Sequence, residues 1–145
     1  MEIDALSAEV VDACIAIHRE LGPGLLESVY ELVLAGELKV RGLKVDRQVP
    51  VDIEFRGQRH LAAFRIDLLI DDRLVLEIKS VEQLSRAHGK QLLTYLRLTG
   101  QPVGLLLNFS GATMKEGIRR VVNEYRQPQE SSASPRLRVN QTIGD

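Results

Sequence analysis

Between Ile66 and Lys79 the chain sets three charged residues inside apolar runs that otherwise read as buried strands. The stretch is Asp67-Leu-Leu-Ile-Asp-Asp-Arg-Leu-Val-Leu-Glu77-Ile-Lys79. Ile66, Leu68, Leu69 and Ile70 surround the first acid; Leu74, Val75, Leu76 and Ile78 surround the second. A charge in such a strand costs several kcal/mol unless it is paired or bound to a cation. Two such strands joined by a short turn form a hairpin. At its open end two carboxylates and one ammonium come together. That donor set suits a hard divalent cation, since Mg²⁺ takes one or two carboxylates and keeps several waters.

The turn decides whether this holds. Glu77 and Lys79 are two apart on one strand and share a face. A two-residue turn at Asp71-Asp72 would pair residue 70 with 73 and residue 67 with 76, which puts Asp67 and Glu77 on opposite faces. A three-residue turn or a bulge pairs Asp67 with Glu77 directly. An odd loop is therefore required. The alternative is a structural ion pair of Asp67 with Lys79 or Arg65.

The rest of the chain divides by its periodicity. Ser7 reads as a helix N-cap with Glu9 in the first turn. Val10, Val11, Cys14, Ile17 and Leu21 then recur at helical spacing until Gly22-Pro23-Gly24 stops the run. A second helix is predicted from about Leu26 to Arg41. Its apolar face carries Leu26, Val29, Tyr30, Val33, Leu34 and Leu38, and Gly42 ends it. From Leu43 to Phe55 the period changes to two, with Pro50 marking an edge strand. Arg56-Gly57 makes a turn, and strands follow over 59–70 and 73–79. A helix is expected over 86–99, a buried strand at Val103-Gly-Leu-Leu-Leu107, and a last helix from Met114 to Tyr125. The order α-α-β-β-β-α-β-α describes an α/β domain, a mixed central sheet flanked by helices in two or three layers. One domain is expected over 1–126, and the Pro/Ser-rich stretch 127–145 reads as a disordered polar tail.

Composition bounds the function. In 145 residues, 44% hydrophobic and 27% charged, there is room for one real core. No apolar run approaches the roughly 18 residues that span a bilayer. The acidic start Met1-Glu2-Ile3-Asp4 is not a signal-peptide pattern. Cys14 is the only cysteine, which rules out an intramolecular disulfide and a cysteine-based zinc site. These features point to a cytoplasmic protein with no membrane partner. A net charge of −1 counts against a high-affinity nonspecific nucleic-acid binder, but not against an enzyme that touches a few phosphates through a local patch.

Other chemistries find little support. Ser28, Ser80 and Ser85 lack a nucleophile-elbow context. Gly22-x-Gly24 lacks the preceding strand and the Lys-Ser/Thr pair of a phosphate-binding loop. His60 and His88 have no partner at metal-ligand spacing and read as surface residues. His18, just before the glycine turn, is a candidate substrate contact. Arg86, Lys90 and Arg97 stack on one helical face and could track a phosphate backbone; the alternative is a solvated face. Arg119 and Arg120 are explained by the C-terminal dipole of the last helix.

At this point the chain resembles a known family. Asp67…Glu77-x-Lys79 is similar to the signature of the PD-(D/E)XK nucleases, the restriction-endonuclease-like superfamily, with Ile66 where a proline usually precedes the aspartate. The element order from the second helix onward matches its core. Gly24-Leu-Leu-Glu27-Ser-Val-Tyr30, with Ile17 to Gly24 before it, resembles the motif of the GxxExxY branch. Gln91-Leu-Leu-Thr-Tyr95 resembles the QxxxY motif of RecB-type and related nucleases. The resemblance covers roughly residues 10 to 122, with four weak motifs in the correct order.

The resemblance implies a Mg²⁺- or Mn²⁺-dependent phosphodiester hydrolase acting on nucleic acid, DNA in preference to RNA. Asp67, Glu77 and the Ile78 carbonyl would hold the metal, and Glu27 would approach it directly or through water. Lys79 would orient the attacking water and stabilise charge on the phosphate. Gln91 would help position water or phosphate. Tyr95, one turn on, would either touch phosphate or pack in the core. Glu27 also suits the first turn of its helix electrostatically; Glu31, at i+4, could mimic it. Cutting both strands of a duplex would require a homodimer. The rival readings are a catalytically weak or inactive nucleic-acid-binding module on the same fold, and a structural protein with an ion-pair network.

Overall fold

A computed structural model describes residues 1–124. The elements follow in order: α1 (Ile3–Leu21), α2 (Glu27–Val40), β1 (Val45–Phe55), β2 (Gln58–Ile70), β3 (Leu74–Lys79), α3 (Arg86–Thr99), β4 (Val103–Asn108) and β5 (Ile118–Val122). A single 3₁₀ turn, Lys115–Gly117, precedes β5. The five strands form one sheet in the order β1-β2-β3-β4-β5. Pairing is antiparallel except between β3 and β4, which α3 connects as a parallel crossover. The expected class, a mixed sheet flanked by helices, is the class observed.

Each face of the sheet has its own core. On one side Leu6, Val10, Ala13, Cys14 and Ile17 of α1 and Tyr30, Leu34 and Leu38 of α2 pack on Leu68, Leu76, Ile78 and Leu105. On the other, Leu92 and Leu96 of α3 pack on Ile66, Val75 and Leu106. The strands β3 and β4 are buried on both faces, as parallel central strands are. Cys14 is fully buried and behaves as a small apolar residue; burial pushes its thiol well above the usual range.

Three local expectations are overturned. The last described element is a strand at Ile118–Val122, where a helix was expected from Met114 on. Ile118 and Val121 also fit a strand beside β4, and Gly117 lets the backbone turn into it. A Cβ on Gly117 would stand 2.1 Å from the Asn108 carbonyl oxygen, so only glycine permits that approach. Arg119 and Arg120 therefore lie exposed on an edge strand, where charge discourages edge-to-edge pairing, and Arg120 pairs with Asp4 at 2.9 Å. Second, Ser7 caps nothing. Helix α1 begins four residues earlier, because Leu6 extends its apolar stripe, and the Ser7 hydroxyl is buried without a partner. Third, Leu26 is 73% exposed, outside the apolar face of α2. The polar stretch from residue 127, with the domain boundary at 126, lies outside the described residues.

Candidate functional site

The turn between β2 and β3 has three residues. The register pairs Leu68 with Leu76, Leu69 with Val75 and Ile70 with Leu74. Asp71 and Asp72 take up the left-handed backbone this loop needs, at φ 49° and 60°. Continued one step, the register sets Asp67 opposite Glu77, as the odd-loop argument required. Asp67 Oδ2 accepts the Ile78 N–H at 2.8 Å, which fixes the carboxylate against β3. Neither Asp67 nor Glu77 forms an ion pair among the described residues, so the structural pairing of Asp67 with Lys79 or Arg65 does not occur.

Glu77 is 6% exposed. Burial, then the neighbouring Asp67 carboxylate, pushes its carboxyl up to about 8, and Lys79 only partly offsets this. Tyr95 of α3 closes the same side. Its ring stacks on Phe64 with centroids 4.0 Å apart. Burial and the charges of Glu77 and Asp67 raise its phenol above the ordinary range.

Glu27, the first residue of α2, reaches this region from the other core. Its Oε2 accepts the Ser80 N–H at 3.1 Å, and Ser80 Oγ donates to the Leu25 carbonyl at 3.1 Å. Tyr30 holds the approach to α2: its hydroxyl donates to the Gly22 carbonyl and accepts the Leu25 N–H, and its ring stacks on Phe109. Glu27, Glu31, Gln48, Asp67 and Ser80 line one open cleft of about 550 Å³.

Not every candidate joins the cluster. His18 is buried, bonds the Gly111 carbonyl through Nε2 at 2.9 Å, and lines a separate cleft with Arg19, Pro23 and Lys115. Gln91 is exposed on α3, with no hydrogen bond to Asp67, Glu77 or Lys79 among the described residues. Arg86 and Lys90 are exposed on the first turns of α3, whereas Arg97 is half-buried with a buried, unpartnered Nε. The three therefore do not form one uniform solvated stripe. His60 is exposed, but His88 is not an idle surface residue: it accepts the Ser85 N–H at 3.0 Å and completes the N-terminal capping box of α3.

Sequence reasoning missed Gln48 and Asn108, and ranked Glu31 below Glu27. Glu31 is 6% exposed and bonds Arg47 Nε at 3.2 Å and Gln48 Nε2 at 2.8 Å. Its place on the buried stripe of α2, between Tyr30 and Leu34, was the available signal. Asn108 ends β4, level with Lys79, and its side chain holds both the N–H and the carbonyl of Val81 at 3.0 and 2.9 Å. That clamp shapes the chain leaving Lys79. A polar residue closing an apolar strand was its only sequence mark.

The donor set is entirely oxygen and belongs to hard-cation chemistry. Among the described residues no three His, Cys, Asp or Glu side chains form a ready-made cage. Two adjacent carboxyls at Asp67 and Glu77, neither in an ion pair among the described residues, with water completing the shell, are the kind of donor set that Mg²⁺-type ions use.

A fold with two helices on one face, a hairpin carrying paired acids and a lysine two residues past the second acid defines a class. Over residues 4–121 the chain matches the family model of the PD-(D/E)XK nuclease superfamily, and it belongs to that superfamily. Members are generally nucleases that use divalent metals. The fold is similar to that in the crystal structure of SSO0001, with a TM-score of 0.52 and 18% identity. That likeness covers 81% of this chain and 56% of the other, so the chain spans little more than half the length of that protein. No curated protein shows significant sequence similarity to it. No described helix is long and apolar enough to cross a membrane.

Proposed function

We propose that the protein is a divalent-metal-dependent nuclease of the GxxExxY branch, hydrolysing phosphodiester bonds in DNA in preference to RNA. The observation that carries this reading is the three-residue turn that sets Asp67 against a buried Glu77, with no ion pair to either among the described residues. Asp67, Glu77 and the Ile78 carbonyl are the proposed ligands of Mg²⁺ or Mn²⁺. Glu27, tied to the Ser80 N–H, stands at the rim and acts through water.

A bound divalent cation supplies Lewis acidity and lowers the pKa of a coordinated water. The chain's own groups do the rest. Lys79, sharing its strand face with Glu77, orients the nucleophile and donates to the phosphate oxygen on which charge develops. Tyr95, fixed by its stack on Phe64, directs its hydroxyl toward the phosphate. Arg86 and Lys90 lie exposed at the start of α3 and guide the backbone of the nucleic acid. Gln91, exposed on α3 one turn before Tyr95, helps position water or phosphate. We place the protein in the cytoplasm, and cleavage of both strands of a duplex calls for a homodimer.

The test is direct. Purified protein is incubated with labelled single-stranded DNA, duplex DNA and RNA, with Mg²⁺ or Mn²⁺, beside Lys79→Ala and an EDTA control. Cleavage by the wild type is expected to fall at least about 100-fold in Lys79→Ala, with the circular dichroism spectrum unchanged. Full activity in that variant sinks the assignment. Metal binding without cleavage of any substrate reassigns the chain to a binding module.

A further inference from the structure

Midway along β1, Gln48 has φ 50°, a left-handed backbone that favours glycine. Register pairs flank it on both sides, Arg47 with Leu68 and Val49 with Ile66, so that Gln48 lies opposite Asp67. At this step both strands change the core they serve. Val45, Leu68 and Ile70 pack under α1 and α2, whereas Val49, Val51 and Ile66 pack under α3. The irregularity thus frees Gln48 and Asp67 from regular alternation and turns both side chains toward the cleft they line.

The Gln48 amide is held there. Its Nε2 donates to Glu31 Oε1 at 2.8 Å, and at a longer 3.4 Å to Asp67 Oδ1. Glu31 is itself buried and pinned by Arg47 Nε at 3.2 Å. Asp67 is therefore gripped at both oxygens, Oδ2 by the Ile78 N–H and Oδ1 by Gln48. Backbone strain at a polar residue facing a candidate site is the pattern in which strain serves function.

The geometry points to Gln48 as a positioning residue that sets the Asp67 carboxylate for metal binding, backed by the Glu31–Arg47 pair. This rests on the reading of Asp67 as a metal ligand. A purely structural role for the left-handed position would be met by glycine or asparagine as well as by glutamine. The positioning role needs an amide at that reach.

The experiment measures the Mn²⁺ dissociation constant of the full chain by calorimetry, with thermal unfolding alongside, for the wild type, Gln48→Gly, Gln48→Asn and Asp67→Ala. Gln48→Gly relieves the backbone, so its melting temperature is expected to match or exceed the wild type while its Mn²⁺ affinity falls 10- to 100-fold, the usual effect of losing such a supporting contact. Gln48→Asn tolerates the same backbone but falls one methylene short, and is expected to bind as weakly. Retention of affinity within twofold in either folded variant overturns the inference alone. Absence of Mn²⁺ binding by the wild type, indistinguishable from Asp67→Ala, overturns the metal reading and this inference with it.

Discussion

Glu77 shows how one residue couples burial to chemistry. Its carboxyl sits near 8 in the folded chain against 4.5 when free, so the folded state holds a proton that the unfolded state has already released. The stabilising effect of that proton is complete below about 4.5 and is lost as pH rises through about 8. Metal-free wild type is therefore expected to lose stability between pH 5 and 8 relative to Glu77→Gln, whose amide does not titrate. Urea unfolding of both proteins across that range checks this; parallel curves would refute it. The same proton competes with a cation, so Mn²⁺ affinity is expected to rise over the same interval. Asp67, for its part, has its oxygens engaged by the Ile78 N–H and the Gln48 amide.

Among the elements, β5 is the instructive one. The spacing of Ile118, Val121 and Val122 satisfies a helix as well as a strand, and short apolar runs are ambiguous in this way. The choice is made by β4, whose edge accepts a strand in register from Val103–Val122 to Leu107–Ile118. Gly117 makes the turn possible, because its missing side chain lets it approach Asn108. Gly117→Ala is expected to destabilise the protein by roughly 1–3 kcal/mol, the usual range for overpacking. The loss should also loosen Asn108 and the segment after Lys79 that it clamps. Chemical denaturation gives the first quantity; faster hydrogen exchange at the Val81 amide reports the second. The long β1–β2 hairpin lies where expected, with Pro50 on the sheet's edge strand, where a missing N–H is tolerated, but its alternation breaks at Gln48, since Val45 and Val49 serve different cores.

At the scale of the molecule, the two cores and the site depend on each other. Helix α2 brings Glu27 and Glu31 to one side of the hairpin, and α3 brings Tyr95 to the other. A cation that binds only the folded chain stabilises it by mass action. Mn²⁺ at about 100 times its dissociation constant is expected to raise stability by about 2.7 kcal/mol, and Asp67→Ala should abolish the gain. Thermal unfolding with and without the metal measures both. The helices, the first three strands and the acidic hairpin were legible in the sequence because each is local: a period of 3.6 or 2, a glycine stop, and charges inside apolar strands. Even the parity of the β2–β3 turn followed from demanding that Asp67 and Glu77 share a face. What adjacency in sequence does not encode was decided only in three dimensions. The left-handed turn at Gln48 is invisible in an alternating pattern, since it shows only when both strands change cores. Glu31, Arg47 and Gln48 come from two elements and meet only when α2 docks on the sheet. The sequence by itself determined which residues carry charge into the core; tertiary packing decided which of them touch, because a hydrogen bond between elements depends on docking distances that no single segment contains.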